Sequence, residues 1–472
     1  MSDFLIRRRV PFLCGLSAVA VSALAVSSVG AVASAHAPDA RACMPLFVVG
    51  VQGTGESSPD ADPRTDSGFL GDAVLGPLMI RAAGKADRAY VPYQASFGGV
   101  DGGAAVPYSA SVTGGIERTR QLVRDEAARC PSTVFAVVGY SQGSHVASMF
   151  VQEIGRGQGV VPAEKIAAVA LFADPTRNPG ASLFPGAPGR DRPEPAPGTG
   201  GAAVHGLPAM SAATVAGGGI GPQRDVAADF GSLTGRVVSW CTAGDLACDA
   251  PDGAPILRVV ANIVGQSDLR DPLAALRSVS EALAFTAFKT AVSVVDEDVS
   301  GTSLASLSLN PRKSLSQRMA EASDPRTPFD PDAAVRALFK VATIGLNAVS
   351  TVVRTVLAPE NIAEMVGAGL VTPAAGLAVL GTKIVSALPE LVPPATVSRL
   401  VQQAFTAIEQ NVVDNRDLLD LATWSKFGNT IAAHLSYRTT PVAAGVTAAS
   451  ATVDWLVAIA DDLAAARSDG AR

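Results

Sequence analysis

The sequence predicts an α/β fold with a parallel sheet, into which an all-α subdomain is inserted. Before residue 250, apolar runs rich in β-forming residues alternate with helical patterns, as in parallel βαβ units. A Gly-x-Ser-x-Gly motif at residues 139–143 joins one such run to a helix. From about residue 250 to residue 429 the apolar residues follow helical periodicity. The 472 residues, of which 48% are hydrophobic, suffice for one large or two ordinary domains.

The N-terminal residues have the features of an export signal. Arg7, Arg8 and Arg9 precede an apolar stretch over residues 10–26, and Ala-Ser-Ala at residues 33–35 matches a small-x-small cleavage site. We therefore predict a signal peptide over residues 1–35 and a protein that is secreted or held in the cell envelope. A permanent membrane anchor is the alternative, against which the cleavage site and the small residues of the apolar run argue.

The first part of the α/β core is predicted to span residues 36–250. Strands are predicted at residues 46–51, 133–138, 165–172 and 236–240, and helices at residues 115–129 and 144–151. Residues 52–56 form a glycine-rich turn directly after the first strand, which either presents N–H groups to an anion or is only a tight turn. Prolines and glycines throughout residues 176–223 predict a long surface loop.

A helical subdomain is predicted over residues 251–428, and residues 429–472 complete the core and end in a helix. Apolar residues repeat at helical spacing over residues 276–283, 335–356 and 397–412. Asp330 followed by Pro331 marks the start of the second of these helices. Residues 365–381 carry no charge and predict a buried helix pair or, as the alternative, a surface that docks on lipid.

Composition limits the partners of the chain. The net charge is −6 at pH 7 and no basic cluster lies outside the N-terminal residues, which argues against nucleic acid as a partner. No sequence pattern indicates a metal site or an organic cofactor, so we expect neither. The sequence leaves the oligomeric state open.

Four of the five cysteines remain once the signal is removed, since Cys14 lies inside it. An even number of cysteines in an exported protein indicates disulfides, and four cysteines allow three pairings. Cys241 and Cys248 flank a short loop, which favours a bond between them and leaves Cys43 to pair with Cys130. A metal site is the less favoured alternative.

Ser141, at the centre of the Gly-x-Ser-x-Gly motif, is the candidate nucleophile. The strand predicted before the motif and the helix after it place the serine on a sharp turn that exposes its Oγ above the sheet. The flanking positions need glycine because a Cβ there would collide with the turn. A serine hydroxyl is a weak nucleophile at neutral pH, so it needs a base and an acid that orients the base.

The base must be one of four histidines. His36 lies at the mature N-terminus, and His145 lies one turn down the helix that leads away from Ser141, where we expect a structural role. His205, in the glycine- and proline-rich loop, is an alternative base. His434 lies late in the chain, which fits the order serine, acid, histidine that accompanies this type of turn, and we predict it as the base.

Two aspartates that follow predicted strands are candidates for the acid. Asp245 lies between Cys241 and Cys248, in a loop whose backbone a disulfide would fix. Asp174 directly follows the strand at residues 165–172 and is the alternative. The fixed loop favours Asp245.

Together these motifs resemble the cutinase family of small secreted serine esterases, whose fold is a three-layer α/β-hydrolase core. Three blocks carry the resemblance: the Gly-Tyr-Ser-Gln-Gly of residues 139–143, the Cys-x-x-Gly-Asp-x-x-Cys of residues 241–248 and the Ala-His-Leu-Ser-Tyr of residues 433–437. The Gly-Thr-Gly-Glu of residues 53–56 is similar to the oxyanion loop of actinobacterial members. The resemblance covers about residues 43–250 and 429–440, and the two inferred disulfides match it.

The resemblance implies the roles of the site residues. Ser141 would be the nucleophile, Asp245 the acid and His434 the base, while Thr54 and the N–H group of Gln142 would form the oxyanion hole. The chain departs from the family in its long loop after residue 174 and in its helical insertion. Because this insertion separates the acid from the base, we expect it to cover or border the active site.

We therefore expect a secreted serine carboxylesterase that forms an acyl-enzyme and acts on lipid-like acyl esters. The first alternative is an acyltransferase that uses the same triad on cell-envelope lipids. The second is a non-catalytic envelope protein built on a hydrolase core. The expected partners are an acyl-ester or lipid substrate and a cell-envelope or lipid surface.

Overall fold

In the computed structural model a five-stranded parallel sheet lies at the centre of the fold. The structure describes residues 42–99, 104–212, 214–301, 307–344, 359–371, 375–376, 378–379, 382, 394–443 and 445–470. The strands are β1 (Leu46–Val51), β2 (Ala86–Tyr90), β3 (Val134–Tyr140), β4 (Ile166–Phe172) and β5 (Val237–Trp240). Their order across the sheet is β2-β1-β3-β4-β5, and every neighbouring pair is parallel.

Helices cover both faces of this sheet. The helices of the core are α1 (Gly68–Leu70), which continues through a π-helical turn (Gly71–Leu75) into α2 (Gly76–Arg81), then α3 (Tyr108–Arg129) and α4 (Gln142–Gly155). The four-residue α5 (Ala202–His205) lies in the otherwise irregular loop predicted over residues 176–223.

Alternating side chains of the strands pack on opposite layers of helices, as the two-residue period of a strand requires. Leu46 and Val48 of β1 pack with α1, α2 and the C-terminal helix, whereas Phe47, Val49 and Val51 pack with α3 and α4. The core therefore has three layers, which confirms the predicted fold class.

Strand β2 and the segment from α1 to α2 were absent from the sequence prediction. β2 is an edge strand, in which Ala86, Ala89 and Tyr90 are buried while Asp87 and Arg88 are half-buried. Charged residues in the middle of the strand hide its apolar pattern, because they lie on an edge that solvent reaches.

The inserted residues are mainly helical. Their helices are α6 (Pro255–Gln266), α7 (Pro272–Glu297), α8 (Leu315–Ser323), α9 (Pro331–Ile344), α10 (Pro359–Val371), α11 (Pro394–Asp414) and α12 (Leu421–Phe427). A two-stranded antiparallel pair, β6 (Val299–Ser300) with β7 (Ser308–Leu309), was not predicted. The chain ends with α13 (Thr430–His434), the pair β8 (Pro441–Ala443) and β9 (Val446–Thr447), and α14 (Ala448–Gly470).

Helix α9 begins where the sequence predicted, but a different face of it is buried. The Asp330 carboxylate accepts a hydrogen bond from the Ala333 N–H group at 3.0 Å, as an N-cap does. Val335, Leu338 and Phe339, expected on the packed face, are exposed, while Ala333 and Ala337 are buried. The small alanines let α9 lie close to α7. Residues 345–356 of the predicted apolar face lie outside the described residues.

The other predicted faces of the insertion differ in their burial. Leu400 and Ala404 of α11 are buried, as the pattern indicated, whereas Leu276 of α7 is exposed. Val366 of α10 is exposed as well, so the described start of the uncharged segment 365–381 is not the buried helix predicted there. By length and mean hydropathy, α7 is the one helix of the described ranges that would suffice to cross a membrane.

Two disulfides tie the core together in the predicted pairing, Cys43 with Cys130 and Cys241 with Cys248. The first joins the start of β1 to the end of α3, and the second closes the loop that follows β5. The predicted signal peptide over residues 1–35 and His36 lie outside the described residues.

Candidate active site

Ser141 occupies the turn between β3 and α4 in a strained backbone conformation. Its φ is 55° and its ψ is −122°, a region that residues with a side chain rarely adopt. A Cβ on Gly143 would collide with the carbonyl group of Val51, and a Cβ on Gly139 would lie 2.6 Å from the Cα of Ser144. Both flanking glycines are therefore required by close backbone approach, and the turn holds the serine hydroxyl at the carboxyl end of the sheet.

Ser141, His434 and Asp245 form a continuous hydrogen-bonded line. His434 Nε2 lies 3.0 Å from Ser141 Oγ, and His434 Nδ1 lies 2.9 Å from Asp245 Oδ1. When Nδ1 carries the hydrogen, the Asp245 carboxylate accepts it and Nε2 is left to accept the serine proton. Asp245 is fully buried, while the His434 side chain is 25% exposed. The structure thus brings together the three residues predicted from separate parts of the chain.

Tyr437 fixes the second oxygen of the acid. Its hydroxyl donates to Asp245 Oδ2 at 2.6 Å and accepts from the Thr242 N–H group at 3.2 Å. The Ala247 N–H group donates to Asp245 Oδ1 at 3.0 Å, so both carboxylate oxygens are satisfied inside the protein. Burial raises the pKa of Tyr437 well above its ordinary value, so its hydroxyl keeps the proton that it donates.

The hydrogen bond from Tyr437 to Asp245 was not predicted from the sequence, although Tyr437 is part of the block at residues 433–437. Its position three residues after His434 places it close to the candidate base, but nothing near it in the sequence indicates a contact with Asp245. An aromatic residue at this spacing is more often part of a core, and Tyr437 is also that, being packed against Phe172 and Phe69.

The alternative acid and bases lie elsewhere. Asp174 is buried and accepts two hydrogen bonds from Thr176, one from the N–H group at 2.9 Å and one from the hydroxyl at 2.8 Å. Burial raises its pKa to about 6. His145 is buried between Tyr108 and Asp225, in agreement with a structural role. His205 lies in α5, where no described hydrogen bond joins it to the serine or the acid.

The glycine-rich turn of residues 52–56 lies against the nucleophile. A Cβ on Gly53 would be 3.3 Å from the Cβ of Ser141. The Glu56 carboxylate accepts from the Gly53 N–H group at 3.0 Å and from the Phe69 N–H group at 2.8 Å, so it holds the turn in place. Glu56 is a second residue whose role the sequence analysis did not assign, because a glutamate in a tight turn gives no local sign of its partners.

Gln142 is fixed by its side chain. Its amide donates to the Ser96 carbonyl at 2.8 Å and accepts from the Ser111 hydroxyl at 3.0 Å. Its N–H group opens helix α4, where the first amides have no intrahelical acceptor. Within the described ranges, neither this N–H group nor that of Thr54 has a hydrogen-bond acceptor. The two predicted oxyanion donors are thus free to bind a ligand.

The end of the insertion contacts the loop that carries the acid. Lys426 Nζ lies 2.5 Å from Asp249 Oδ2, and the same carboxylate accepts from the Gly244 N–H group at 2.9 Å. Beside the base, Ile431 and Leu435 are 74% and 63% exposed. In its described part the insertion therefore borders the site and leaves His434 within reach of solvent.

A strained serine at a strand–helix turn, with a histidine and a buried aspartate supplied by later parts of the chain, is the arrangement found in serine hydrolases of the α/β class. The family model for cutinase matches residues 42–256. Over these residues the chain is similar to the cutinase family.

Two of the relatives that match are named a carboxylesterase homolog and a cutinase. A carboxylesterase Culp6 homolog of Corynebacterium glutamicum is 31% identical over 227 residues, which cover 44% of this chain and 66% of that protein. A cutinase of Monilinia fructicola is 29% identical over 145 residues, covering 29% of this chain and 60% of the relative. The chain thus spans less than two thirds of the length of each of these two relatives, 66% of the first and 60% of the second.

Among solved structures, the catalytic core domain of acetyl xylan esterase from Trichoderma reesei is 17% identical and gives a TM-score of 0.29. That match covers 51% of this chain and 99% of the other. A cutinase-like protein from Cryptococcus sp. is also 17% identical, with a TM-score of 0.29 and coverage of 44% of this chain and 80% of the other. At these scores the likeness carries no argument about function.

Proposed function

We propose that the chain is a secreted serine carboxylesterase, in which Ser141 is the nucleophile, His434 the general base and Asp245 the acid that orients it. The observation that carries the proposal is the line from Ser141 Oγ to His434 Nε2 at 3.0 Å and from His434 Nδ1 to Asp245 Oδ1 at 2.9 Å. The carboxylesterase and cutinase names of the relatives support the reaction class.

In the first half of the reaction Ser141 Oγ attacks the carbonyl carbon of the ester. The hydroxyl proton passes to His434 Nε2, and the carbonyl oxygen becomes an oxyanion. The free N–H groups of Gln142 and Thr54 donate to that oxyanion, and each donor stabilises the transition state by about 3 kcal/mol. Asp245 remains ionised and stabilises the imidazolium.

Collapse of this intermediate breaks the bond between the carbonyl carbon and the alcohol oxygen. His434 Nε2–H gives its proton to the departing alcohol, and the acyl group remains on Ser141 Oγ. A water molecule then attacks the acyl carbon and gives a proton to His434, which returns it to Ser141 Oγ as the carboxylic acid leaves. Solvent reaches the 25% exposed His434 side chain for this second half.

The surroundings of the base favour an ester with an apolar acyl chain. Ile431 and Leu435 flank His434 and are largely exposed, so an apolar chain that binds there removes apolar surface from water. Secretion is supported by the two disulfides, since such bonds persist in oxidising compartments.

Covalent labelling with a fluorophosphonate tests the proposed triad. We expect the oxidised protein to be labelled at Ser141, Ser141→Ala to be unlabelled and His434→Ala to lose at least a thousandfold in labelling rate, since the nucleophile and its base act as a unit. His205→Ala is the matched control and should be labelled at the wild-type rate. Labelling that survived His434→Ala, or wild-type protein that stayed unlabelled, would refute the proposal.

A further inference from the structure

A buried ion pair joins the helical insertion to the core. Arg326 lies in the turn between α8 and α9, and its guanidinium contacts both carboxylate oxygens of Asp225. Nη2 lies 2.5 Å from Oδ2 and Nη1 lies 3.2 Å from Oδ1. The Asp225 side chain is 1% exposed and that of Arg326 is 27% exposed. This two-pronged geometry between guanidinium and carboxylate is the strong form of a charge-assisted hydrogen bond.

Asp225 also contacts helix α4, which follows Ser141. Its Oδ2 lies 3.0 Å from His145 Nε2, and its backbone carbonyl accepts from the Gln152 side-chain amide at 3.3 Å. His145 and Gln152 are both buried residues of α4, two turns apart. Asp225 therefore holds α4 at two points while it holds the insertion through Arg326.

His145 is close to the nucleophile along the chain and in space. Its backbone N–H group donates to the Ser141 carbonyl at 3.2 Å, within the first turn of α4. On the other side of the ring, Nδ1 lies 3.0 Å from the hydroxyl of Tyr108, the first residue of α3. The imidazole is thus fixed at both nitrogens, and the turn that bears Ser141 is fixed with it.

Arg326 is the cation in contact with Asp225. Its Nη2 also lies 3.1 Å from Asp324 Oδ2, a carboxylate that Arg224 contacts as well. Burial alone would raise the pKa of Asp225, but the hydrogen bonds from His145 and Arg326 and their charges outweigh it, and the pKa is lowered. With Asp225 ionised and paired to Arg326, the His145 ring donates Nε2–H to the carboxylate, and its Nδ1 lies at hydrogen-bond distance from the Tyr108 hydroxyl. Without Arg326, a buried carboxylate would lose its cation, which is destabilising.

We propose that Arg326 is a positioning residue of the active site, which couples the docked insertion to helix α4 through Asp225 and His145 and so sets the orientation of Ser141. The measured consequence rests on the proposed function, because it is read from the reactivity of Ser141. The insertion then contributes to catalysis from the side of helix α4, in addition to its contact with the loop that carries Asp245.

The test compares Arg326→Gln, Arg326→Lys and the control Arg318→Gln. Arg318 forms an ion pair with Asp298 that is more deeply buried, with side chains 2% and 1% exposed, and that lies wholly within the insertion. For each protein we would measure the rate of fluorophosphonate labelling at Ser141, kcat and KM for a p-nitrophenyl ester, and amide hydrogen exchange by mass spectrometry. The exchange of residues 142–155 reports on α4, and that of residues 272–323 reports on the insertion.

We expect Arg326→Gln to lower the labelling rate and kcat about tenfold with KM within twofold, and to speed exchange across residues 142–155. Arg326→Lys should recover part of the labelling rate, because an ammonium group keeps the charge and loses the two-pronged geometry. Arg318→Gln should speed exchange in residues 272–323 and leave α4 and the labelling rate unchanged.

Two results would overturn the positioning role. One is an Arg326→Gln protein with the labelling rate and the α4 exchange of the wild type. The other is an Arg318→Gln protein that loses as much reactivity, which would assign the effect to general loosening of the insertion. Failure of the proposed function is distinct, since unlabelled wild-type protein would refute the esterase while the exchange of α4 would still decide the coupling. If Arg326→Gln does not fold, the Arg326→Lys comparison decides in the same way.

Discussion

The α/β core and the helical insertion are stabilised in different ways. In the core, large apolar side chains such as Phe47, Phe135 and Phe150 are completely buried between the sheet and its helices. In the insertion, large apolar side chains such as Phe339 face solvent, while ionic groups such as that of Arg318 are buried. Large apolar side chains thus fill the core, whereas in the insertion buried ion pairs such as that of Arg318 with Asp298 accompany smaller buried apolar side chains such as Val259 and Leu400.

Truncation of one phenylalanine in each region should give the largest difference in the free energy of unfolding. Phe135 is completely buried and stacks edge-on against Phe47, with ring centres 6.0 Å apart. Phe135→Ala should lower the free energy of unfolding by about 3–5 kcal/mol, because it removes a buried ring and leaves a cavity. Phe339 is 67% exposed, and Phe339→Ala should change the same quantity by about 0.5 kcal/mol or less.

Denaturant unfolding followed by circular dichroism measures both values, and the wild-type protein at the same pH is the reference. A Phe339→Ala protein as destabilised as Phe135→Ala would mean that the exposed face of α9 is packed in solution. The distinction between an apolar core and a polar insertion would then be lost.

Two buried carboxyl groups, one in each region, have different hydrogen-bond partners. In the insertion, Asp298 is paired with Arg318 at 2.6 Å. In the core, Asp174 takes its hydrogen bonds from Thr176, and burial raises its pKa from 3.8 to about 6. A raised pKa means that the folded state holds the proton more tightly than the unfolded state does. The stabilisation from Asp174 is therefore complete below about pH 4 and is lost as the pH rises through 6.

Asp174→Asn should remove this pH dependence. The amide is neutral at every pH and can still accept the two hydrogen bonds from Thr176 through its oxygen. At pH 7.5 the variant should be more stable than the wild type by up to about 3 kcal/mol, the equivalent of the shift in pKa. At pH 4 the difference in unfolding free energy should be close to zero. Equal differences at the two pH values would show that Asp174 is not the titrating group.

The sequence was sufficient for the parts of the fold that depend on local pattern. Strands β1, β3, β4 and β5 are nearly continuous apolar runs. Such strands can be recognised in a sequence because both of their faces are buried, so that apolar residues are not restricted to alternate positions. The candidate nucleophile was also recognisable from its motif, in which a Cβ on Gly139 would collide with Ser144 inside the turn and a Cβ on Gly143 would collide with Val51 of β1. The acid and the base followed from chain order and from the disulfide loop.

The rest depended on contacts between residues far apart in the chain. Tyr437 reaches Asp245 across 192 positions, and Arg326 reaches Asp225 across 101 positions. Neither pair has a local signature, because a tyrosine and an arginine at these sites look like a core residue and a solvated charge. The burial of α9 was mispredicted for a related reason. Its alanines, which carry little hydrophobic signal, form the packed face.

The smallest predicted effect is a change in kcat, and it concerns which region of the molecule orients Asp245. Tyr437, from the core, donates directly to Asp245 Oδ2, whereas Lys426, from the insertion, pairs with Asp249 four positions further on. Tyr437→Phe removes one hydrogen bond to a buried carboxylate, which is worth about 1.5–3 kcal/mol. We expect kcat for a p-nitrophenyl ester to fall about tenfold, with KM nearly unchanged, because the base is less well oriented in the transition state.

Lys426→Met is the matched variant and should lower kcat less than threefold. The Lys426 side chain is 39% exposed, and the Gly217 and Gly244 N–H groups still donate to Asp249 when it is removed. If Lys426→Met lost as much activity as Tyr437→Phe, the insertion would orient Asp245 in addition to helix α4. The core would then supply the three reacting side chains, and the insertion would determine their geometry.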